Sequence, residues 1–353
     1  SFHLTVIDEL PVQLQVRDFS LRVDLAAGAQ QQLTYTIRPT ERDAYHFGRI
    51  LLYLSTRLGL LERRYIQEAG VELPVYPSII QMKQLALRAF DRTSRSGGVK
   101  KMRRIGHSYE FDQIKNYVRG DDYRSINWKA TGRRGELMVN QYEDERAQQI
   151  YCIIDKSRAM RLPFYGLTLM DYAINSSLAL SNIILRKHDQ AGLFTFSDKV
   201  GTVLKADSRP AQLNRILQAL YQEKEREAEA NYELLYYFSR KLISGRSLLL
   251  LYANFESMYA LDRVLPILRR VAAFHVLVVV FFKNTEIEDY VEQPATTVED
   301  IYQQTIGRKL LTEKNDMVQK LRQYGIQAVL TRPEELSINT LNKYLELKAR
   351  GVI

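Results

Sequence analysis

Several groups that carry common chemistry are scarce in this sequence. Its 353 residues include only one cysteine and five histidines. Cys152 has no partner for an internal disulfide, which fits a reducing compartment. Its place inside an apolar run predicts a small core residue and not a redox or metal group. The histidines show no metal-ligand spacing; they are His3, His46, His107, His188 and His275.

Long apolar runs and common nucleotide-binding motifs are also missing. The longest apolar run, Val276–Phe282, is far shorter than the roughly 20 residues of a membrane-spanning helix. No G-x-x-x-x-G-K-S/T, G-x-S-x-G or G-x-G-x-x-G pattern occurs, so the sequence gives no sign of a P-loop, a hydrolase elbow or a dinucleotide site. The chain starts at Ser1 without a signal peptide, and we expect it to be soluble as given.

Positive charge is concentrated in one segment. The net charge is +9, and residues 95–134 hold 11 Lys and Arg against four acids. Such a patch attracts nucleic acid, anionic lipid or an acidic partner. We favour the simpler interpretation of a solvated loop with ion pairs to Asp121, Asp122 and the acids at 143–145, because structural ion-pair networks are common.

The first 77 residues predict a small all-β sandwich, since short runs rich in Val, Leu, Tyr and Thr alternate with turn residues. The predicted strands lie within 4–16, 19–25, 31–39 and 70–77, with turns or strand starts at 43–48 and 58–64. Residues 78–148 form a connecting segment. Within it, the pattern predicts a helix at 79–90 and a basic surface loop at 94–106.

Residues 149–353 predict a doubly wound, mostly parallel α/β domain, because strands and helices alternate. The predicted strands are 149–155, 191–197, 200–206, 247–253, 274–282 and 326–331. Three of them are continuously apolar, as expected when helices cover both faces of a sheet. The short gap between 191–197 and 200–206 predicts a hairpin, which places one antiparallel strand at the sheet edge.

Two stretches carry candidate functional residues. The strand IYCIID delivers Asp155 to its carboxyl end, where ligands bind in such sheets, and Ser157 follows two residues later. The segment YVRGDDYRSINWKATGRR offers Asp121 or Asp122 as a cap and a single tryptophan, Trp128. Its cations are Arg119, Arg124, Lys129, Arg133 and Arg134.

The YVRGDDYRSINW segment has two open interpretations. We favour an ion-paired clamp that locks it onto the α/β domain, with Trp128 as the apolar anchor. The alternative is a partner-binding face, because arginine recognises carboxylates bidentately.

The D-x-S after the first strand of a doubly wound domain resembles the von Willebrand factor A domain. The upstream motif EF…YVRGDDYRSINWKATGRRGELMVNQYEDE closely resembles that of the bacterial family called domain of unknown function 58. The resemblance covers essentially the whole chain. It implies a von Willebrand factor A-like domain after an N-terminal β-domain.

The resemblance implies no established catalysis, so we expect a non-enzymatic protein-interaction or adaptor module. It also implies a MoxR-type AAA+ ATPase as partner. Hydrophobic helices upstream of Ser1 would place the protein at the cytoplasmic face of the bacterial inner membrane.

The metal site that the resemblance implies is degenerate. A-type domains hold Mg²⁺ with D-x-S-x-S, a Thr and an Asp, and the partner adds a carboxylate. Here Asp155 and Ser157 match, but Ala159, Asn231 and Asn254 stand at or near the other positions. Because Mg²⁺ prefers charged oxygen ligands, we expect the loops of Asp155, Ser157, Asn231 and Asn254 to converge and to bind Mg²⁺ weakly or not at all.

An alternative function is a nucleic-acid-binding protein or metal-dependent nuclease. The basic segment 95–134 would hold phosphates, and acids among Asp121, Asp122 and residues 143–145 would serve as metal or acid–base groups. We do not expect nucleic acid as a partner, because acids in a charge-rich segment are usually solvated.

Overall fold

The structure is a computed structural model that describes residues 2–26, 28–56, 60–77, 105–118, 121–143, 147–295 and 297–353, without the side chains of 105–113 and 141–143. The predicted helix at 79–90, most of the predicted basic loop and Arg119 lie outside these ranges. The chain divides into two compact units: Ser1–Ile79 with Leu217–Lys224, and Ile80–Ile216 with Glu225–Ile353. The predicted boundaries at 77/78 and 148/149 stay predictions.

The first unit is rich in β-structure, as predicted. Its strands are β1 (Phe2–Asp8), β2 (Leu21–Leu25), β3 (Asp43–Phe47), β4 (Ile50–Thr56), β5 (Glu62–Gln67) and β6 (Val71–Val75). They form an antiparallel sheet in the order β2-β1-β4-β5 and a separate pair, β3-β6.

The prediction of a strand at 31–39 is wrong. Tyr35 donates a hydrogen bond to Asp8 and its ring packs 4.6 Å from that of Phe19. Side-chain contacts therefore hold this segment without a strand ladder. Conversely, β3 lies where only a turn or strand start was expected.

The second unit is built on a six-stranded sheet in the order β13-β12-β9-β14-β15-β16. Its strands are β9 (Gln149–Asp155), β12 (Gln190–Phe196), β13 (Val200–Asp207), β14 (Leu248–Tyr252), β15 (Val276–Phe282) and β16 (Gln327–Thr331). All neighbours pair in parallel except β12 and β13. The predicted fold class and antiparallel edge are confirmed.

The remaining strands form two antiparallel pairs. One joins β7 (Ile105–Asn116) to β8 (Met138–Glu143), and the other joins β10 (Pro163–Phe164) to β11 (Leu167–Thr168). The described helices are α1 (Trp128–Arg134), α2 (Leu169–Arg186), α3 (Ala211–Tyr221), α4 (Tyr232–Lys241), α5 (Met258–Ala272), α6 (Thr285–Glu292), α7 (Val298–Gln323) and α8 (Leu336–Ala349).

Helices cover both faces of the six-stranded sheet. Helices α4, α5 and α7 supply Phe238, Leu268 and Leu321 to one core, against Tyr151 and Ile153 of β9. Helix α2 packs with α8 on the opposite face of the sheet. There the Cys152 thiol of β9 contacts the Ser177 carbonyl of α2. Cys152 is a buried core residue, as predicted. In the described ranges, no helix is long and apolar enough to cross a membrane.

Candidate functional site

A small cleft lies at the carboxyl ends of β9 and β14. These strands pair directly, with Tyr252 beside Ile154, and the chain proceeds outward from β9 to β12 on one side and from β14 to β15 on the other. This is the topological switch point, where ligands bind in open α/β sheets. The cleft has a volume of about 90 Å³, and one water needs roughly 10–15 Å³. We call it the sheet-edge cleft.

Asp155 lies in the lining of the sheet-edge cleft and is 1% exposed. Its Oδ1 accepts from the Ser157 amide at 2.8 Å, and its Oδ2 accepts from the Tyr232 hydroxyl at 3.1 Å. Burial raises the pKa of Asp155 to about 6, although the bonds from Ser157 and Tyr232 act to lower it. No described Lys or Arg forms an ion pair with it.

The loop after β9 is fixed to its neighbours through backbone bonds. The Lys156 amide donates to the Phe196 carbonyl at 2.9 Å, and its own carbonyl accepts from the Arg226 amide at 2.8 Å. The Arg158 amide donates to the Ala228 carbonyl at 3.1 Å. Asp155 and Ser157 are thus held on a tied loop.

The prediction that Asn231 lies with Asp155 in the sheet-edge cleft is wrong. Its side chain is exposed and caps α4, with Oδ1 accepting from the Glu233 amide at 3.1 Å. The next residue, Tyr232, is buried and lines the cleft instead. The sequence did not predict the role of Tyr232, because the A-type pattern places a Thr near position 231 and Asn231 was matched to it.

Asn254 does lie in the sheet-edge cleft, and both ends of its amide are already bonded. Its Nδ2 donates to the Ala159 carbonyl at 3.1 Å, and its Oδ1 accepts from Lys314 Nζ at 3.1 Å. Lys314 also donates to the Phe255 carbonyl. Burial lowers the pKa of Lys314 to about 8, against the attraction of Glu313 and Glu256.

These contacts do not fit a Mg²⁺ site. The Asn254 oxygen is bound by an ammonium, Asn231 caps a helix, and the Ala159 carbonyl is occupied by Asn254. Of the four predicted ligands, only the Asp155 carboxylate and the Ser157 hydroxyl remain, whereas Mg²⁺ requires near-octahedral oxygen coordination. In the described ranges, no group of three or more His, Cys, Asp or Glu could hold a metal ion. Weak or absent Mg²⁺ binding stays a prediction.

The rim of the sheet-edge cleft carries charges that pair with one another. The Glu229 carboxylate accepts from Arg158 at 3.3 Å and from Arg263 at 2.9 Å. All three side chains are more than half exposed, and such pairs contribute about 0–1 kcal/mol each. The rim is therefore charged but close to balanced.

The GDDYRSINW stretch lies within residues 117–137, between β7 and β8, and we call residues 117–137 the excursion. Asp121 accepts from the Val118 amide and from Lys115 Nζ, both at 2.9 Å, and these bonds lower its pKa in that order. Asp122 caps the next turn through the Arg124 amide at 3.0 Å. Both acids thus have local structural roles.

The excursion continues into α1, whose ends are closed by local signals. Asn127 caps its start, with Oδ1 accepting from the Ala130 amide at 3.0 Å, and Gly135 ends it at a φ of 74°. The Asn127 amide nitrogen also reaches Asn140 of β8 at 2.7 Å.

The side chains of the excursion point to solvent more than predicted. Trp128 is 71% exposed, which contradicts its predicted role as an apolar anchor. The start of α1 is fixed by the Asn127 cap, so the position of this backbone does not depend on burial of the Trp128 ring. Tyr123 is 68% exposed.

The described cations of the excursion are exposed as well. They form no ion pair with an acid of the described ranges; they are Arg124, Lys129, Arg133 and Arg134. Arg124 lies over the ring of Tyr123, with 5.7 Å to its centroid. Arg119, Asp144, Glu145 and the side chain of Glu143 lie outside what is described, so the clamp predicted for this segment stays a prediction.

Comparisons with known proteins place this geometry in context. The family model described as "Protein of unknown function DUF58" matches residues 113–292, which includes the excursion and the sheet-edge cleft. The uncharacterized protein YeaD of Bacillus subtilis (strain 168) is 24% identical over 124 residues. That match spans 35% of this chain and 31% of the relative.

Two solved structures show a likeness in fold. The SpRpn10 VWA domain is 8% identical, with a TM-score of 0.35, over 56% of this chain and 95% of that one. Proximal thread matrix protein 1 from the mussel byssus is 12% identical, with a TM-score of 0.32, over 57% and 45%. The strand order, and not these likenesses, carries the von Willebrand factor A-like fold class. The family model spans about half of the chain, and the protein belongs to the DUF58 family.

Proposed function

We propose that this protein is a non-enzymatic interaction module of a membrane-associated complex and that it works with a MoxR-type AAA+ ATPase. The DUF58 family and the von Willebrand factor A-like fold fit a protein-interaction module. The observation that carries the proposal is the excursion, where the four described cations and the rings of Tyr123 and Trp128 are exposed on a backbone fixed by its own caps.

The position of the cations on α1 supports a binding role. Lys129 and Arg133 are four residues apart on one side of the helix, where like charges destabilise by about 0.2–0.5 kcal/mol. Lys129 also lies in the first turn, close to the positive end of the helix dipole. No acid of the described ranges relieves this repulsion, whereas an acidic partner would.

The exposed rings add apolar contact area beside this charge. Trp, Tyr and Arg are the residues that most often dominate binding energy at protein interfaces, and arginine binds carboxylates in bidentate geometry. The excursion therefore suits an acidic protein surface with an apolar groove. The proposal that this acidic surface belongs to a MoxR-type ATPase rests on the resemblance of the sequence to its family.

The test is a crosslinked pull-down from the native host. Wild-type protein is compared with Lys129→Glu/Arg133→Glu, and with Arg308→Glu/Lys309→Glu, which makes the same charge change on exposed residues of α7. A MoxR-type ATPase is expected with the wild type and the α7 control but not with the α1 variant. Its absence from repeated wild-type pull-downs contradicts the partnership.

Nucleic-acid binding is a second candidate, favoured by the same exposed rings. Single-stranded nucleic acid binds through phosphate contacts to cations and through base stacking on aromatic side chains. Trp128 and Tyr123 lie beside Arg124 and Lys129 in the sequence, which fits that combination. Affinity that falls steeply with salt is expected in this case. No gel shift with single- or double-stranded DNA or RNA at low salt removes this candidate.

A further inference from the structure

The sheet-edge cleft pairs a buried carboxylate with apolar walls. Asp155 is 1% exposed, and small or aromatic side chains make up much of the remaining lining; they are Ala159, Ala230, Tyr232, Phe255, Ala260 and Val264. The cleft volume of about 90 Å³ suits the end of one side chain and a few waters. A metabolite needs more, because pockets for small-molecule ligands usually measure about 300 Å³ or more.

The acceptors in the cleft suit an ammonium group. Asp155 has about four lone-pair sites, and the Ser157 amide, the Ser157 hydroxyl and the Tyr232 hydroxyl use three of them. The Tyr232 oxygen donates its proton to Asp155, so its own lone pairs can accept. An ammonium donates three hydrogen bonds and imposes no octahedral geometry, unlike Mg²⁺.

Aromatic rings and net charge favour a cation as well. The rings of Tyr232 and Phe255 lie 6.1 Å apart between centroids, and aromatic faces attract organic cations. The lining holds two guanidinium groups against three carboxylates, with Asp155 ionised. The rim cations Arg158 and Arg263 both pair with Glu229. Asp155 is therefore a buried negative charge without a counter-ion in the described ranges.

We propose that the sheet-edge cleft binds a lysine side chain of a partner protein, with the Asp155 carboxylate as counter-ion and the apolar walls around the methylene stem. This deepens the proposed interaction function and rests on it. In A-type domains that hold Mg²⁺, the partner contributes a carboxylate to the metal. In the binding proposed here, the partner contributes the cation itself and no metal takes part. Within the chain, Lys314 already makes comparable contacts, because its ammonium donates to Asn254 Oδ1 and to the Phe255 carbonyl.

The test uses the full chain labelled with ¹³C on alanine methyl groups, because three alanines line the cleft. The probe is N-acetyl-lysine amide. N-acetyl-norleucine amide provides the same stem without charge, and N-acetyl-glutamate amide with Mg²⁺ represents metal-dependent binding. The lysine probe is expected to shift the methyl signals of Ala159, Ala230 and Ala260 with a dissociation constant on the order of millimolar. Neither of the other probes is expected to do so.

Two variants separate charge from shape. Asp155→Asn is expected to weaken the lysine probe about tenfold, because the amide cannot neutralise an ammonium. Ala260→Leu is expected to abolish binding by filling the cleft while leaving Asp155 in place. Asp316→Asn makes the same acid-to-amide change on an exposed residue of α7 and should leave binding unchanged.

Each contrary result overturns the proposal. Such results are equal shifts by the norleucine probe, no effect of Asp155→Asn in a folded variant, no binding of the lysine probe, or saturation by the glutamate probe with Mg²⁺. The pull-down keeps the two proposals apart. If the ATPase is recovered but lysine does not bind, the cleft assignment fails and the interaction function stands.

Discussion

The sheet-edge cleft and the excursion differ in where their charged side chains find partners. In the cleft, Asp155, Asn254 and Lys314 are all bonded to atoms of the same unit. In the excursion, Asn127 and Asp122 bond the backbone, while the cationic side chains end in solvent. The polar atoms of the first region are bonded within the unit, whereas the described cations of the second region are left to solvent.

Burial explains this difference. A buried polar group without a partner costs about 1–3 kcal/mol, so the loops around Asp155 must satisfy their own atoms. Exposed cations on α1 are solvated by water and bear no such cost. The cleft is therefore suited to selective recognition of one side chain, and the excursion to attraction over a broader surface.

The largest predicted effect breaks the bonded loops of the cleft. Asn254→Leu is expected to destabilise the second unit by about 2 kcal/mol, because the Ala159 carbonyl loses its donor and Lys314 loses an acceptor. Thermal unfolding measures the change. Asn315→Leu replaces an exposed asparagine of α7 and should shift stability by no more than about 0.5 kcal/mol. Equal effects of the two changes would show that the Asn254 bonds do not hold the cleft together.

The next prediction uses pH to test the burial of Asp155. Its pKa is raised from 3.8 to about 6 in the folded chain, so the folded state holds the proton more tightly than the unfolded state. That contribution is fully present below the unfolded pKa and is lost as pH rises through about 6. From about pH 7.5 to about pH 5, the wild type should gain about 1–2 kcal/mol relative to Asp155→Asn.

Urea unfolding of both proteins at each pH measures this difference. Subtracting the unfolding free energy of the Asn variant removes the contribution of the other titrating groups. A wild type that loses stability relative to the variant as pH falls would mean that Asp155 is stabilised as an anion. The hydrogen bonds from Ser157 and Tyr232 would then outweigh the effect of burial on the pKa of Asp155.

The sheet was predictable from sequence because its signals are local and strong. Continuous apolar runs at 149–155, 247–253 and 274–282 correspond to central strands with both faces covered. The adjacency of β9 and β14, and with it the meeting of Asp155 and Asn254, follows from the switch-point rule. The pairing of strands in the first unit was less predictable, because β-propensity depends strongly on context.

The partners inside the cleft could not be predicted in the same way. Lys314 lies 60 residues from Asn254 along the chain, on a helix whose sequence gives no sign that this lysine turns inward. In the sequence, nothing distinguishes Tyr232 from other aromatic residues that follow a helix cap. The exposure of Trp128 could not be predicted either. A tryptophan among charged residues is buried only when another part of the fold packs against it, and the local sequence does not show whether such a contact exists.

A smaller effect is expected from the cap that supports the excursion. Asn127→Ala removes the bond to the Ala130 amide and should destabilise α1 locally by about 1 kcal/mol. Amide hydrogen exchange of residues 128–134 measures this opening. Asn127→Asp keeps the acceptor at the cap but loses the donor to Asn140 Oδ1, so it should preserve more protection than the alanine variant does. If the alanine variant exchanges as slowly as the wild type, packing and not capping maintains the helix.

The smallest predicted effects separate an exposed binding surface from a structural clamp. Lys129 is the second residue of α1, near the positive end of the helix dipole, and Arg133 is in the last turn, where a cation is favoured. If both cations end in solvent, Lys129→Ala should stabilise α1 by about 0.5 kcal/mol by relieving repulsion. Arg133→Ala should be neutral or slightly destabilising. Amide exchange of α1 compares the two, and a loss of protection in Lys129→Ala would show that this lysine is bound to an acid of the same chain. That outcome would favour the clamp, and with it a structural role for the whole basic segment.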